Sequence, residues 1–204
     1  MGWVRWILVI LFWAGVAAFL HYTLPQRDIV RITDTYESRI EPGENPWFWT
    51  QTSAGPDGTV PPRDVFFLQT VRTNGSALVF RNEDTGWGWP PFFKFDTATL
   101  QAEAADLRST GADPVWVAVR HYGWRIELFT IYPNVLSVRP VDGPDVRLIP
   151  WGNIAILIGL AALFWAIWVR WTRFREARID PTLEEVGDRF DDGATWMRRL
   201  FRRR

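Results

Sequence analysis

Two long apolar runs lie near the two ends of the sequence, at residues 6–24 and 151–169. The first run contains no Asp, Glu, Lys or Arg, and the only strongly polar residue of the second is Asn153. As a helix, each run is roughly 28 Å long, which nearly matches the hydrocarbon thickness of a bilayer, about 30 Å. Because neither run has the polar stripe of a soluble helix, both are predicted to be transmembrane helices.

The first run can also be interpreted as a cleaved signal peptide, since Arg5 precedes it and Val16-Ala17-Ala18 offers a small-residue cleavage site. The apolar residues continue past Ala18 to Leu24, which favours an uncleaved anchor. Small residues recur at helix-contact spacing in both runs, as expected for a helical hairpin. An oligomer or partner interface is the alternative for these small residues.

Alternating apolar and polar residues between the two runs predict an antiparallel sheet. Residues 28–40 form the first predicted strand, and residues 63–72 and 77–81 flank the turn signal Asn74-Gly75, which sets Val71 opposite Leu78. Residues 115–121 and 124–131 flank Tyr122-Gly123, and this second predicted hairpin sets Val119 opposite Ile126, Val117 opposite Leu128 and His121 opposite Trp124. Residues 134–141 form the last predicted strand.

One helix is predicted within this middle region, at residues 99–108, with Thr99 as its cap and Gly111 beyond its end. The predicted fold class is therefore a membrane α-helical hairpin carrying an α+β, mainly antiparallel-sheet domain outside the cytoplasm. The predicted segments are a first transmembrane helix (1–25), the α+β domain (26–149), a second transmembrane helix (150–170) and a cytoplasmic basic amphipathic tail (171–204). Residues 41–62, rich in Gly, Pro, Asp and Thr, are predicted to form a long loop.

Charge is divided between these segments, although the chain as a whole is neutral. Residues 21–149 carry sixteen acidic and twelve basic side chains, whereas residues 169–204 carry seven acidic and ten basic ones. Arg170, Arg173, Arg175 and Arg178 directly follow the second run. By the positive-inside rule both termini are predicted to be cytoplasmic and the middle domain to lie on the other side of the membrane.

The end of the chain is predicted to lie on the membrane surface. Trp196 and Leu200 fall on one side of a short helix whose other residues include Arg198 and Arg199. Together with Arg170, Arg173 and Arg175, these residues are predicted to contact the anionic lipid headgroups of the cytoplasmic leaflet. An unstructured basic end is the alternative, and nucleic acid is not an expected partner.

The sequence has no motif for a catalytic nucleophile, a metal or a cofactor. It has no Cys, no Ser in a G-x-S-x-G setting, no phosphate loop and no H-E-x-x-H. No cofactor and no metal are therefore expected. His121 is the one candidate for a general base, and the alternative for it is a packed or edge histidine. His21, at the end of the first run, is predicted to form interfacial hydrogen bonds.

The densest group of functional candidates lies in residues 81–96, RNEDTGWGWPPFFKFD, which contain Lys94, the only lysine of the chain. Asp84, Trp87 and Trp89 share a loop that its glycines and prolines can hold rigid. The loop can be a lid on the core, a platform for a membrane surface or a protein, or a cage for a small ligand. The same alternatives hold for Trp47 and Trp49.

Three segments carry a resemblance to a known family: residues 21–32 (HYTLPQRDIVRI), 82–96 (NEDTGWGWPPFFKFD) and 121–125 (HYGWR). They resemble the bacterial domain-of-unknown-function family 1523, from the first run to about Trp151. The resemblance implies an inner-membrane protein with no assigned activity, and it brings no catalytic residues. The chain after Arg178 is not part of it.

These observations lead to the expectation of a non-enzymatic envelope protein, anchored in the bilayer, that interacts with a protein or a lipid through its periplasmic domain. One alternative is an accessory subunit of a larger membrane complex. Another is a periplasmic hydrolase or small-ligand binder that uses His121 and the loop of Trp87 and Trp89.

Overall fold

The computed structural model of the chain describes residues 2–40 and 63–179. The predicted loop at residues 41–62, with Trp47 and Trp49, lies outside the described residues, as does the predicted tail helix with Trp196, Arg198 and Arg199. The chain divides into two compact units, Met1–Pro150 and Trp151–Arg204.

Within residues 2–40 and 63–179, the first unit contains two α-helices and five strands, and the second contains one long helix. In chain order the elements are α1 (Gly2–Thr23), β1 (Gln26–Ile40), β2 (Arg63–Arg72), β3 (Ala77–Asn82), α2 (Thr97–Asp106), β4 (Trp116–Tyr122), β5 (Asn134–Pro140) and α3 (Trp151–Phe174). Arg175–Ile179 extends α3 as a π-helical turn.

Among the described residues, two helical segments are long and apolar enough to cross a membrane, Trp3–Thr23 and Trp151–Ile179. Their large apolar side chains are exposed along nearly the whole length, so neither helix buries its surface in a protein core. The prediction of two apolar helices on either side of a mixed helix and sheet domain is confirmed.

The five strands close into a barrel in the order β1-β2-β3-β5-β4. The neighbouring pairs are antiparallel except β3 and β5, which run parallel and meet at Arg81 and Asn134. This strand order, with a helix between the third and fourth strands, is that of the OB-fold, a five-stranded Greek-key barrel. The sequence analysis predicted a mainly antiparallel sheet but not its closure into a barrel.

The barrel interior is filled by the inward-facing side chains of all five strands. Its fully buried members are Val30, Ile32, Leu68, Phe80, Val117, Val119 and Val135. Leu100 and Ala104 of α2 pack against the same cluster. A register shift between Ile32 and Asp34 interrupts the pairing of β1 with β2, and such a bulge increases the bend of a long strand that pairs on both sides.

The first predicted hairpin is present, but its register differs by one residue. Val71 lies opposite Ala77 and not Leu78, because the turn has three residues between the bonded pair Arg72 and Ser76. Gly75 has φ +82°, the left-handed conformation that ends a three-residue hairpin loop.

The second predicted hairpin is wrong. β4 ends at Tyr122, Gly123 turns the chain with φ +90°, and residues Glu127–Phe129 form a short 3-10 helix. Val119 lies opposite Asp28 and Val138 and not opposite Ile126. Leu128 is 84% exposed rather than paired with Val117. The true partners of β4 are the first and last strands, which are distant in sequence.

The predicted start of the middle helix is also wrong. α2 begins at Thr97, and its cap is Asp96, whose carboxylate accepts a hydrogen bond from the Thr99 amide at 2.9 Å. A hydrogen bond with the Thr99 side chain and, less strongly, this amide bond hold the pKa of the Asp96 carboxyl below its usual value. Aspartate is as good a helix cap as threonine, so the choice between them depended on the exact start of the helix.

Candidate functional site

The barrel is attached to α1 almost directly, since only Leu24 and Pro25 separate the helix from β1. The amide of Gly123, just after β4, donates a hydrogen bond to the carbonyl of Tyr22 in the last turn of α1, at 3.0 Å. Gly123 fits here because its φ of +90° costs a glycine little.

Side chains strengthen this attachment, which we call the α1 junction (His21, Tyr22, Gly123 and Trp124). The indole Nε1 of Trp124 donates to Nδ1 of His21 at 2.8 Å, and the Tyr22 ring meets the Trp124 ring edge-on at 5.4 Å. The Gln26 amide donates to the His21 carbonyl at 2.9 Å. His21 therefore forms its hydrogen bonds with the barrel.

The loop between β3 and α2 closes on itself through backbone contacts. The amides of Thr85 and Gly86 donate to the carbonyl of Lys94 at 3.1 and 3.0 Å, and the Lys94 amide donates to the Thr85 hydroxyl at 3.1 Å. Residues 86–93 therefore project from a fixed base. At the projecting end, the Trp89 ring stacks on Phe19 of α1 with 5.7 Å between ring centroids.

Three rings of this loop form an exposed cluster, which we call the aromatic surface (Trp87, Phe93 and Phe95). The Trp87 ring lies 5.3 Å from Phe93 and 5.9 Å from Phe95, both edge-on, and its side chain is 84% exposed. Phe93 has φ +52°, which is rare for a bulky residue. Asp84, at the base of the loop, is also exposed.

A buried polar network holds the base of the loop to the barrel. Asn134 is fully buried, and its side chain accepts from the Glu83 amide at 2.9 Å and donates to the Glu83 carbonyl at 3.0 Å. It also donates to the Tyr122 hydroxyl at 3.2 Å. Next to it, the buried side chains of Arg81 and Glu83 form an ion pair at 3.1 Å.

Lys94 is the second anchor of the loop. Its ammonium donates to the Val135 carbonyl at 2.8 Å and to the side-chain oxygen of Asn82. Burial lowers the pKa of Lys94 to about 8, although the charges of Asp84 and Glu83 oppose this change. The sequence analysis missed this network; the polar residues in and around β3 and β5 were the available signal.

His121 does not form an accessible site. Its side chain is only 5% exposed, its Nε2 lies 3.3 Å from the Asp28 carboxylate, and its ring lies 4.9 Å from Phe80. His121 and, less strongly, Arg72 hold the pKa of the Asp28 carboxyl below its usual range. The predicted pairing of His121 with Trp124 is wrong, because its strand partners are Gln26 and Val135.

The remaining candidates are dispersed. Arg170, Arg173 and Arg175 are exposed at the end of α3 and in its π-helical extension. Over residues 2–40 and 63–179, no three His, Cys, Asp or Glu side chains are grouped so that they could hold a metal ion. A groove of about 390 Å³ lies beside the aromatic surface, with Phe93 and Phe95 on one side and Arg120 and Ser137 on the other.

These features define the class: a five-stranded barrel joined to helices that are long and apolar enough to cross a membrane. The chain belongs to the family described as protein of unknown function DUF1523, whose model matches residues 1–175. It is 36% identical over 164 residues to an uncharacterised protein of Haemophilus influenzae, which covers 79% of this chain and 88% of that protein. No solved structure matches the chain.

The family resemblance drawn from the sequence is thereby confirmed. The three segments that carried it come together at the end of the barrel next to α1. Residues 21–32 and 121–125 meet in the α1 junction, and the loop from residues 82–96 reaches Phe19 through Trp89. These three segments therefore build one structural unit, the attachment of the barrel and its aromatic loop to α1.

Proposed function

We propose that this chain is a two-span protein of the bacterial inner membrane that binds an envelope partner protein through its aromatic surface. In this proposal the barrel lies in the periplasm and both termini lie in the cytoplasm. The arginines that follow the second apolar helix, Arg170, Arg173 and Arg175, support this orientation by the positive-inside rule. They would also contact anionic headgroups of the cytoplasmic leaflet.

The observation that carries the proposal is the rigid α1 junction. A barrel on a flexible tether would sample many orientations, whereas this one is fastened to α1 by three hydrogen bonds and by ring contacts. The aromatic surface is therefore presented at a constant height and angle relative to the helix. Such fixed presentation lowers the entropy cost of docking a partner that lies in or beside the same membrane.

The aromatic surface has the chemistry of a protein interface. Tryptophan is among the residues that supply most of the binding energy at such interfaces, and phenylalanine is enriched there. Phe93 keeps a left-handed backbone conformation, which costs of order 1–3 kcal/mol and is found at functional sites more often than elsewhere. The loop therefore accepts a less stable backbone conformation while its rings stay exposed to solvent, as expected of a binding surface.

An enzymatic role is supported less well. His121, the candidate base, is buried, and its Nε2 contacts the Asp28 carboxylate, so a substrate could not reach it without opening the barrel. A general base needs its reactive nitrogen within hydrogen-bond reach of the substrate. An accessory subunit remains compatible with the proposal, since a partner bound permanently at the aromatic surface would make the chain one.

Crosslinking in native membranes tests the proposal. A tagged chain is treated with a short crosslinker before purification, and the recovered partner is compared between the wild type and Trp87→Ala. We expect partner recovery to fall about tenfold, because Trp87 is the most exposed ring of the surface.

Leu128→Ala is the matched control for this experiment, since Leu128 is also 84% exposed but lies on the loop after β4. It should leave recovery unchanged, and both variants should keep the thermal unfolding temperature of the wild type. Equal recovery by Trp87→Ala and the wild type would refute the aromatic surface as the binding site.

A further inference from the structure

Two arginines face each other across the outer surface of the barrel at the end next to α1. Arg27 of β1 lies directly opposite Arg120 of β4 in the antiparallel register, and both side chains are exposed. Like charges in directly opposed positions repel each other. Partial burial, and then the charge of Arg27, lower the pKa of Arg120, which shows that the local environment disfavours the second positive charge.

Neither guanidinium has a carboxylate partner within the described part of the chain. Arg27 donates to the carbonyl of Ile149 at 3.0 Å, which fixes its position without neutralising it. Two other arginines do have carboxylate partners, since Arg72 pairs with Asp28 at 3.6 Å and Arg108, after α2, pairs with Asp34 at 3.2 Å. The pair of Arg27 and Arg120 therefore lacks a counter-charge, and an anion between the two groups would supply it.

The position of Arg27 along the chain indicates how far from the hydrocarbon layer of a membrane this anion would lie. Arg27 follows Leu24, the last residue of the first apolar run, by three residues, or about 10 Å in an extended chain. The headgroup layer on each side of a bilayer is roughly 5–8 Å thick, and an arginine side chain can extend back toward it. Both guanidiniums are thus within reach of lipid phosphates when α1 lies in a membrane.

The groove beside the pair provides room for the rest of a lipid headgroup. Arg120 lines it together with Ser137, Phe92 and Phe93. Glu103 of α2 also lines the groove, but it forms no ion pair with Arg120 within the described part of the chain. The carboxylate of Asp96 is already engaged by the Thr99 amide. Positive charge is therefore concentrated where Arg120 faces Arg27.

We propose that Arg27 and Arg120 together bind the phosphate of an anionic membrane phospholipid, with the phenyl rings of Phe92 and Phe93 against its glycerol region. Two guanidiniums can hold one phosphate through paired hydrogen bonds, which lysines cannot do. The site rests on the membrane placement of α1 proposed above. It depends neither on which compartment holds the barrel nor on the partner protein.

The test uses the purified full-length protein in a non-ionic detergent, with phosphatidylglycerol as the probe. Native mass spectrometry gives the lipid bound at each concentration for the wild type, Arg27→Gln, Arg120→Gln and the control Arg39→Gln. Arg39 is an exposed arginine near the opposite end of the same strand, β1. We expect each of the first two changes to weaken binding about tenfold and the control to leave it unchanged.

Thermal unfolding supplies a second measurement, and its expected result differs from that of a purely structural role for Arg120. Without lipid, Arg120→Gln should unfold at the same temperature as the wild type or higher, because the repulsion is removed. With phosphatidylglycerol, the wild type should be stabilised and Arg120→Gln should not. Binding by both glutamine variants at the wild-type level would overturn the proposal.

Two further probes identify the source of the phosphate. Phosphatidylcholine, whose phosphate is neutralised by choline, should bind more weakly than phosphatidylglycerol, and inorganic phosphate should stabilise the protein much less. Equal stabilisation by inorganic phosphate would show a free-anion site and overturn the lipid assignment. Since these measurements need no partner, failure to capture one in native membranes leaves their result intact.

Discussion

Lys94 connects the aromatic loop to the barrel through its ammonium group. The bonds to the Val135 carbonyl and the Asn82 side chain place a cation where burial disfavours it, and the pKa falls from its usual value to about 8. An unfolded chain would titrate this lysine near its ordinary pKa, about 10.4. The folded and unfolded chains therefore bind different numbers of protons between these two values.

This difference predicts how stability changes with pH. Between about pH 8 and pH 10 the unfolded chain keeps the Lys94 proton and the folded chain releases it, so the free energy of unfolding rises with pH. The gain is at most about 3 kcal/mol, since each unit of pKa difference corresponds to about 1.4 kcal/mol. The wild type and Lys94→Met, compared by thermal unfolding in detergent, should diverge over this range.

Lys94→Met serves as the reference for the wild type, because all other titrating groups are the same in the two proteins. Any difference in the pH dependence of their stability therefore comes from Lys94. The variant should also be less stable at pH 7, since the Val135 carbonyl and the Asn82 side chain lose a donor. Parallel stability curves from pH 7 to 10 would show that Lys94 keeps its ordinary pKa in the folded protein.

At the scale of elements, the turn at Gly123 determines whether β4 and α1 stay attached. Gly123→Ala should destabilise the protein by about 1 kcal/mol, because φ +90° is strained for alanine even though the new Cβ would make only ordinary contacts. Hydrogen exchange should accelerate at residue 123 and around Tyr22, while the amides of the barrel core remain protected.

Gly111→Ala is the matched control, because a Cβ at Gly111 meets nothing within 4 Å and its φ is not positive. It should change neither stability nor exchange. If Gly123→Ala exchanges at the α1 junction as slowly as the wild type, the hydrogen bond between Gly123 and Tyr22 does not hold the barrel to the helix.

Elements that depend on local pattern could be predicted from the sequence, whereas long-range pairing could not. The two apolar helices and all five strands follow from hydrophobic period and turn residues, although the strand predicted at residues 124–131 is absent. Closure of the barrel needs the parallel contact of Arg81 in β3 with Asn134 in β5. The alternation of apolar and polar residues within one strand carries no information about a partner strand so distant along the chain.

The candidate site divides in the same way. The loop sequence around Trp87 and Trp89 predicted a rigid aromatic loop, because glycine and proline restrict the chain locally. The polar network joins Glu83, just after β3, to Asn134 of β5, and the opposed pair joins Arg27 of β1 to Arg120 of β4. They become visible only when the barrel register is known.

At the scale of the whole molecule, a small barrel is attached by a short and rigid junction to α1, a helix long and apolar enough to cross a membrane. The barrel supplies a closed scaffold without free strand edges, so it presents loops without inviting strand pairing with other chains. Its end next to α1 holds the aromatic loop, the α1 junction and the proposed lipid site. Function is therefore expected where the barrel meets the bilayer surface.

The most direct test of this account is the topology of the chain, and the absence of cysteine makes it straightforward. Single cysteines are introduced by Leu128→Cys on the barrel and by Arg175→Cys after α3, and intact spheroplasts are treated with a membrane-impermeant maleimide. The account predicts labelling of Leu128→Cys in intact spheroplasts and of Arg175→Cys only after the membrane is disrupted. The reverse pattern, or labelling of both sites in intact spheroplasts, would contradict it.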